Sequence, residues 1–270
     1  MATLGDVVGA LDRRYDPAWA QEWDSVGLVC GDPAASVTRV HVAIDPVAVV
    51  VEEAIVAGAG LLVTHHPLFL GGTESVAATT AKGRVVHRLL AAGCGLYVAH
   101  TNADVAPDGV NDALAAALEL TEIGPLSPGE RGLGRVGALP EPMSLREFVD
   151  RSARCLPPTA WGVRGAGDPD RPIRRVAVCG GSGGDLAEVA RAAGADVLLT
   201  SDLKHHRALE ALDDTGIALV DAAHWATEQP WVGLAAEILG ADLAAAGTTV
   251  EVTASTTCTD PWTVHAQSRK

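Results

Sequence analysis

Short apolar strands alternate with helices along most of this chain, and this alternation limits the possible fold classes more than any other feature. Strands are predicted over Val40–Ile44, Leu61–Thr64 and Leu96–Ala99, with helices predicted within 46–58 and over Ala81–Ala92. Strands separated by helices of about 10–14 residues are typical of right-handed βαβ units and a buried, largely parallel sheet. The pattern therefore predicts an α/β fold.

The second half of the chain repeats the order of elements in the first. The segment AGAGLLVT at 57–64 is matched by AGADVLLT at 193–200, and HVAI at 41–44 by RVAV at 175–178. We expect two similar α/β units, a duplicated three-layer arrangement, facing each other across a cleft at the carboxyl ends of their strands. The predicted boundaries are 1–125 for the first unit, with 230–270 packing back on it, and 126–229 for the second.

Charge and cysteine content narrow the classes of function. With 34 acidic and 20 basic side chains, the net formal charge is −14, which argues against broad binding to nucleic acid or to an anionic membrane. Five cysteines without CxxC spacing indicate reduced thiols rather than a disulfide framework. The sequence has no signal-peptide pattern and no apolar run of ~18–20 residues, so we expect a cytoplasmic protein.

Two adjacent histidines, His65 and His66, stand at the end of a predicted strand and are followed by Pro67. On a strand their side chains would point to opposite faces. Pro67 favours a loop instead, because it donates no ladder hydrogen bond and restricts the residue before it. On a loop both imidazoles can converge on one pocket or hold two neighbouring metals; the alternative is an ordinary surface turn.

Polar residues also follow two other predicted strands, in HTNAD at 100–104 and DAAHWATE at 221–228. An imidazole–carboxylate set of five is more than one tetrahedral ion requires and suits two bridged metals. Nitrogen and oxygen ligands without thiolate favour Zn, Fe, Mn or Co. The predicted metal ligands are His65, His66, Asp104, His224 and Glu228.

The helical context of Glu228 has two interpretations. The i, i+4 spacing of His224 and Glu228 is that of a helical metal pair. Pro230, however, fits most easily in a first helical turn, with Thr227 as its N-cap. We therefore expect His224 on the preceding loop and Glu228 at the helix start, where the helix dipole alone would also favour a carboxylate.

Several further residues are candidates for supporting roles. Lys204 and His205 follow a strand and could contact an anionic substrate or act as acid–base groups; the alternative is a solvated helix start capped by Asp202. The amides of GGSGG, at 180–184, could cradle a phosphate, or the segment could be a tight turn.

Three residues are expected to lie behind the ligands or away from them. His100 is interpreted as a residue that supports a ligand, with a metal ligand or a core histidine as alternatives. Asp24 is a candidate for holding a ligand histidine in place. Asp45 is interpreted as a helix cap.

Taken together, these motifs resemble the Nif-three-like family, the YbgI-type proteins labelled GTP cyclohydrolase I type 2 homologues. The resemblance covers nearly the whole chain in family order. The matching segments are WDSVGL (23–28), AID (43–45), THHPL (64–68), AHTNAD (99–104), GGSGG (180–184), TSDLKHH (200–206) and DAAHWATE (221–228).

This resemblance implies a duplicated α/β fold, a ring-shaped homohexamer and a two-metal site carried by the five predicted ligands. It also implies a metal-dependent hydrolase acting on a nucleotide-like or phosphorylated substrate, with GTP as the substrate that the label suggests. Glu228 would bridge the metals or accept a proton, and Lys204 and His205 would meet the anionic part of the substrate. The alternatives are a binuclear phosphoesterase and a non-catalytic metal-binding or regulatory ring assembly.

Overall fold

The computed structural model describes residues 2–266, which form two compact units. The first unit consists of the residues up to Gly109 together with Val232–Thr259. The second consists of Val110–Trp231 together with the residues from Asp260 onwards. The boundary predicted at residue 125 therefore lies inside the second of these units.

The strands of the described chain are short, and most of the central ones are fully buried. In chain order they are β1 (Gly27–Cys30), β2 (Arg39–Ala43), β3 (Leu61–Thr64), β4 (Gly95–Val98), β5 (Thr121–Pro125), β6 (Arg135–Ser144), β7 (Val163–Ala166), β8 (Pro172–Ser182), β9 (Val197–Ser201), β10 (Ala218–Ala222) and β11 (Glu251–Ala254).

Helices fill most of the connections between these strands. They are α1 (Leu4–Arg14), α2 (Ala48–Val56), α3 (Ala81–Ala91), α4 (Thr101–Val105), α5 (Val110–Ala117), α6 (Leu145–Cys155), α7 (Ala187–Ala192), α8 (His205–Thr215), α9 (His224–Glu228) and α10 (Pro230–Ala245). Within residues 2–266, no helix combines the length and the hydropathy needed to cross a bilayer.

Each unit is built on one mixed sheet with a parallel centre. The first sheet has the order β1-β4-β3-β2-β11, in which β2, β3 and β4 run parallel and β1 is antiparallel to β4. The second has the order β5-β6-β8-β9-β10-β7, in which β8, β9 and β10 run parallel and β7 is antiparallel to β10. The α/β prediction is confirmed, and the shared strand pattern is consistent with a duplication.

Local signals in the sequence located several elements correctly. The strand predicted over Leu61–Thr64 has these bounds in the structure. Two helices begin with reciprocal capping boxes, because Thr3 and Ser144 each exchange hydrogen bonds with an acidic residue three positions later. These hydrogen bonds satisfy amide groups that have no partner within the helix.

Two predicted helix caps are wrong. Helix α2 begins at Ala48, after the N-cap Val47, and has no side-chain cap. Helix α8 likewise begins without a side-chain cap, and Asp202 is not its N-cap. The carboxylates of Asp45 and Asp202 are instead hydrogen-bonded to histidine rings, which are stronger donors when they carry charge.

A buried histidine lies in the first sheet, away from the predicted ligands. His41 on β2 is 4% exposed, and its Nδ1 lies 2.8 Å from Oγ1 of Thr253. Its Nε2 lies 3.5 Å from a carboxylate oxygen of Glu53, which also accepts a hydrogen bond from Ser255. Burial lowers the pKa of His41 below its ordinary value of 6.5, and the charge of Glu53 offsets this only in part.

We predict that His41 makes the fold less stable in mild acid. Because its folded pKa is depressed, the unfolded chain binds more protons below about pH 6.5, so the free energy of unfolding falls as the pH drops through that range. Urea unfolding of the parent and of His41→Gln between about pH 7 and pH 5 should show a shallower pH dependence in the variant. The control is His87→Gln, which alters an exposed histidine and should keep the pH dependence of the parent. Equal pH dependence in the parent and His41→Gln would contradict the prediction.

Candidate functional site

In the first unit, the turn after β3 places His65 inside the protein. The His65 side chain is 1% exposed, and its Nδ1 lies 2.8 Å from the carbonyl oxygen of Ala99. Because a carbonyl oxygen can only accept, Nδ1 carries a proton, and in the neutral ring Nε2 then carries the lone pair. Nε2 lies 3.7 Å from Oδ1 of Asp104 on α4. An imidazole held in this way presents Nε2 as the ligand atom for a cation.

The neighbouring His66 is oriented by a carboxylate. Its Nδ1 lies 2.7 Å from Oδ1 of Asp45, and the other oxygen of Asp45 accepts a short hydrogen bond from the Thr259 hydroxyl. The Asp45 carboxylate therefore fixes the ring of His66 and its protonated nitrogen. This carboxylate–histidine arrangement is typical of imidazoles that bind metal through Nε2.

His100, which follows β4, is held in the same way by Asp24. Its Nδ1 lies 3.0 Å from Asp24, whose other oxygen accepts hydrogen bonds from the amide and the hydroxyl of Thr101. Burial raises the pKa of Asp24, but the hydrogen bonds from His100 and Thr101 lower it by more, so the pKa lies well below its ordinary value of 3.8. Asp24 is therefore an ionised acceptor at neutral pH.

The three rings form one cluster. Their centroids are 5.0 Å apart for His65 and His66, 5.2 Å for His65 and His100, and 5.7 Å for His66 and His100. One nitrogen from each ring lies within 4.8 Å of the other two, so the three could hold a metal ion. From the sequence, His100 is interpreted as a residue that supports a ligand, with a metal ligand as one alternative. The sequence signal for its place in the cluster is its position directly after a strand, like that of His65.

In the second unit, His224 and Glu228 begin and end the single turn of helix α9. Nε2 of His224 lies 3.0 Å from Oε1 of Glu228, and its Nδ1 lies 2.7 Å from Asp202. The expectation of His224 on a loop with Thr227 as a cap is wrong, because Thr227 lies within α9. Its hydroxyl bonds back to the carbonyl of His224 instead of capping the next helix. His224 and Glu228 therefore share one helical turn at i, i+4, and their role as a metal pair stays a prediction.

The glycine-rich segment at 180–184 packs against this pair. The amides of Gly180, Gly181 and Gly183 already donate to side-chain oxygens, at 2.8, 2.9 and 2.8 Å. These three amides are thus engaged within the protein, which favours the tight turn over the phosphate cradle. At Gly181, where φ is +64°, an added Cβ would overlap Oε1 of Glu228 and Nε2 of His224.

The remaining predicted residues lie at the surface. Lys204 is the N-cap of α8 and His205 is its first residue, and both side chains are exposed. The rings of His205 and His206 stack edge to face with centroids 5.2 Å apart. A role in substrate contact or proton transfer stays a prediction for Lys204 and His205.

Comparison with known proteins identifies the relatives of this chain. The family model described as Duf34/NIF3 (NGG1p interacting factor 3) matches residues 2–261. The chain belongs to the Duf34/NIF3 family. The resemblance stated from the sequence motifs is therefore confirmed.

Named relatives from other organisms are similar to this chain over nearly their whole length. A Streptomyces coelicolor protein named GTP cyclohydrolase 1 type 2 homolog is 51% identical over 274 residues, covering 99% of this chain and 96% of the relative. A Mycobacterium bovis protein of the same name is 37% identical over 375 aligned positions, with 98% of each covered. Since this chain has 270 residues, the mycobacterial relative contains sequence that it lacks.

Solved structures of the family share the fold. A Bacillus cereus protein related to NIF3 superimposes with a TM-score of 0.90 at 24% identity, covering 97% of this chain and 99% of that one. Staphylococcus aureus protein SA1388 gives a TM-score of 0.89 at 29% identity, covering 96% and 98%. The predicted Nif-three-like fold is thus confirmed.

We predict that Gly181→Ala displaces the His224–Glu228 pair. Both Gly181→Ala and the control Gly194→Ala place alanine at a positive φ, which costs about 1–2 kcal/mol of unfolding free energy. At Gly194, however, the nearest atom would be 4.0 Å from the added Cβ. The ring nitrogen shifts of His224, measured by NMR, should therefore change in Gly181→Ala and stay constant in Gly194→Ala. Unchanged shifts in Gly181→Ala would contradict the assigned packing.

Proposed function

We propose that this protein binds divalent metal ions and uses them to hydrolyse a nucleotide-like or phosphorylated substrate. The observation that carries the proposal is the anchoring of each candidate histidine through Nδ1 to an oxygen. This makes Nε2 the ring nitrogen that would coordinate a metal. Metal-binding histidines almost always donate the other ring N–H to a carboxylate, a main-chain carbonyl or a water. The proposed ligands are His65, His66 and Asp104 in the first unit and His224 and Glu228 in the second.

The donor atoms fit a divalent transition metal. All are imidazole nitrogens or carboxylate oxygens, which suit Zn, Fe, Mn or Co and disfavour copper(I) and iron–sulfur clusters. His100 is a further candidate ligand, because its ring belongs to the same cluster as His65 and His66. Two ions per chain remain part of the proposal.

The protein residues define what such a centre can do. A divalent ion supplies Lewis acidity and lowers the pKa of a bound water. Glu228 is 3% exposed and lies beside His224, so its carboxylate can bind a metal or accept a proton from an attacking water. Lys204 and His205 are proposed to meet an anionic group of the substrate.

The ligand assignment predicts which substitutions remove metal. His66→Ala and His224→Ala should each lower the bound metal, measured by elemental analysis, by about half or more, because each deletes a donor that the other ligands cannot replace. His206→Ala is the matched control, since it truncates an exposed histidine in the second His-His dipeptide of the chain. Circular dichroism checks that the fold is retained. Parent-level metal in both ligand variants would reject the assignment.

Product analysis of the metal-loaded protein tests the reaction. The name of the Streptomyces coelicolor relative makes GTP the first substrate to try. Formate release from GTP is expected if the ring is opened, and Glu228→Gln should lower that rate by about 100-fold or more if the carboxylate transfers the proton. Release of phosphate instead indicates a phosphoesterase. A metal-loaded protein that is inert on a broad panel of nucleotides and phosphoesters would reject the hydrolase and favour a metal-binding or regulatory role.

The homohexamer stays a prediction from the family resemblance.

A further inference from the structure

The first unit contains an apolar groove between helices α2 and α3. Its volume is about 590 Å³, which falls in the range of small-molecule sites. The apolar lining includes Val47, Val51, Pro67, Leu68 and Val85. The groove is therefore large enough for an organic molecule with one or two rings.

The floor of the groove is fixed by the core beneath it. Val51, Leu68 and Val85 are 1%, 4% and 8% exposed and belong to the buried cluster that packs on the first sheet. Val47, at the rim, is 42% exposed and precedes the first turn of α2. A floor held by core packing is already formed before any ligand binds, which reduces the entropy cost of binding.

Cations predominate among the charged groups that line the groove. The guanidinium of Arg88 is paired with Glu52, at 2.8 and 2.6 Å. Arg84 donates to the main-chain carbonyls of residues 78 and 79, and Nζ of Lys82 lies 5.7 Å from the centre of the Phe69 ring. The positive charges of Lys82 and Arg84 are thus directed at neutral groups in the described contacts. In a chain of net charge −14, such a cationic rim selects anions locally.

One end of the groove is formed by the candidate metal ligand His66 and by Asp45, which orients it. A molecule in the groove would therefore extend to the imidazole ring of His66. The glycine amides once considered for anion binding are already engaged. The groove, unlike the glycine-rich segment, combines an apolar surface with positive charges that contact only neutral groups in the described contacts.

We propose that this groove binds an aromatic organic anion, with the ring between α2 and α3 and the anionic group at Lys82 and Arg84. Identifying this ligand as the substrate rests on the proposed function, whereas its binding does not. Apolar burial supplies most of the affinity, and the two cations select the anion.

The test uses the fluorescent probe 8-anilinonaphthalene-1-sulfonate on the full chain after treatment with a chelator. The probe combines aromatic rings with one anionic group, and chelation removes any dependence on metal. Two variants alter the groove: Val47→Trp fills it from the rim, and Lys82→Glu/Arg84→Glu reverses its charge. Acidic residues in the first turn of α3 are favoured by the helix dipole, so the double variant should fold.

The expected result is at least a tenfold rise in the probe Kd for both groove variants. The control Arg174→Glu/Arg207→Glu makes the same change in net charge on exposed residues of the second unit and should leave the Kd unchanged. GTP should displace the probe from the parent, whereas guanosine, which lacks the phosphates, and inorganic phosphate, which lacks the rings, should do so at least tenfold more weakly.

Other outcomes overturn the proposal. Parent-level probe binding in both groove variants would reject the groove as the ligand site. Loss of self-association in Val47→Trp, with probe binding unchanged, would show that a second copy of the chain covers the groove.

If the metal-loaded protein hydrolyses a substrate and the groove variants keep the parent KM, the substrate assignment fails while the proposed function stands. If probe binding follows the groove but no substrate is hydrolysed, the proposed function fails and the binding site stands.

Discussion

The candidate site depends on one interaction, the hydrogen bond from histidine Nδ1 to an oxygen. His65 makes it to a main-chain carbonyl, whereas His66, His100 and His224 make it to aspartates. Each bond fixes both the ring orientation and the nitrogen that carries the proton. It also accounts for Asp45 and Asp202, whose carboxylates are bonded to histidine rings and do not cap the helices that follow them. Asp202, which holds His224, has a φ of +56°, in the left-handed region that aspartate enters more readily than most residues.

The two units use the same sheet plan for different chemistry at the strand ends. After β3 the chain continues as His65-His66, whereas the matching positions at the end of β9 are Ser201 and Asp202. Ser201 is buried and bonds to Thr227, and Asp202 orients His224 of its own unit. One copy of the repeat therefore supplies imidazoles directly, and the other supplies the carboxylate that orients one. A duplication followed by this divergence explains why only one half carries the THHP motif.

The two aspartate caps fail for the same reason. Asp45 and Asp202 each stand just before a helix and match the local pattern of an N-cap, but each is hydrogen-bonded to a histidine ring instead. Thr227 differs, because its hydroxyl bonds to the main-chain carbonyl of His224, three residues earlier. Capping contributes about 1 kcal/mol, and a charge-assisted bond to an imidazole contributes as much or more. The local pattern is the same in either case. For the two aspartates, only the position of a histidine 21 or 22 residues away decides which bond forms.

The sequence by itself determined the α/β class, the strand that leads into His65-His66 and the family. These follow from periodicity, turn residues and motif order, which act over a few neighbouring positions. The tertiary structure decided that His100 joins the first cluster, that His224 and Glu228 share one helical turn, and that α2 and α3 leave a cationic apolar groove beside His66. Such features depend on which side chains meet across sheets and helices, because burial and hydrogen bonding are set by contacts between distant segments.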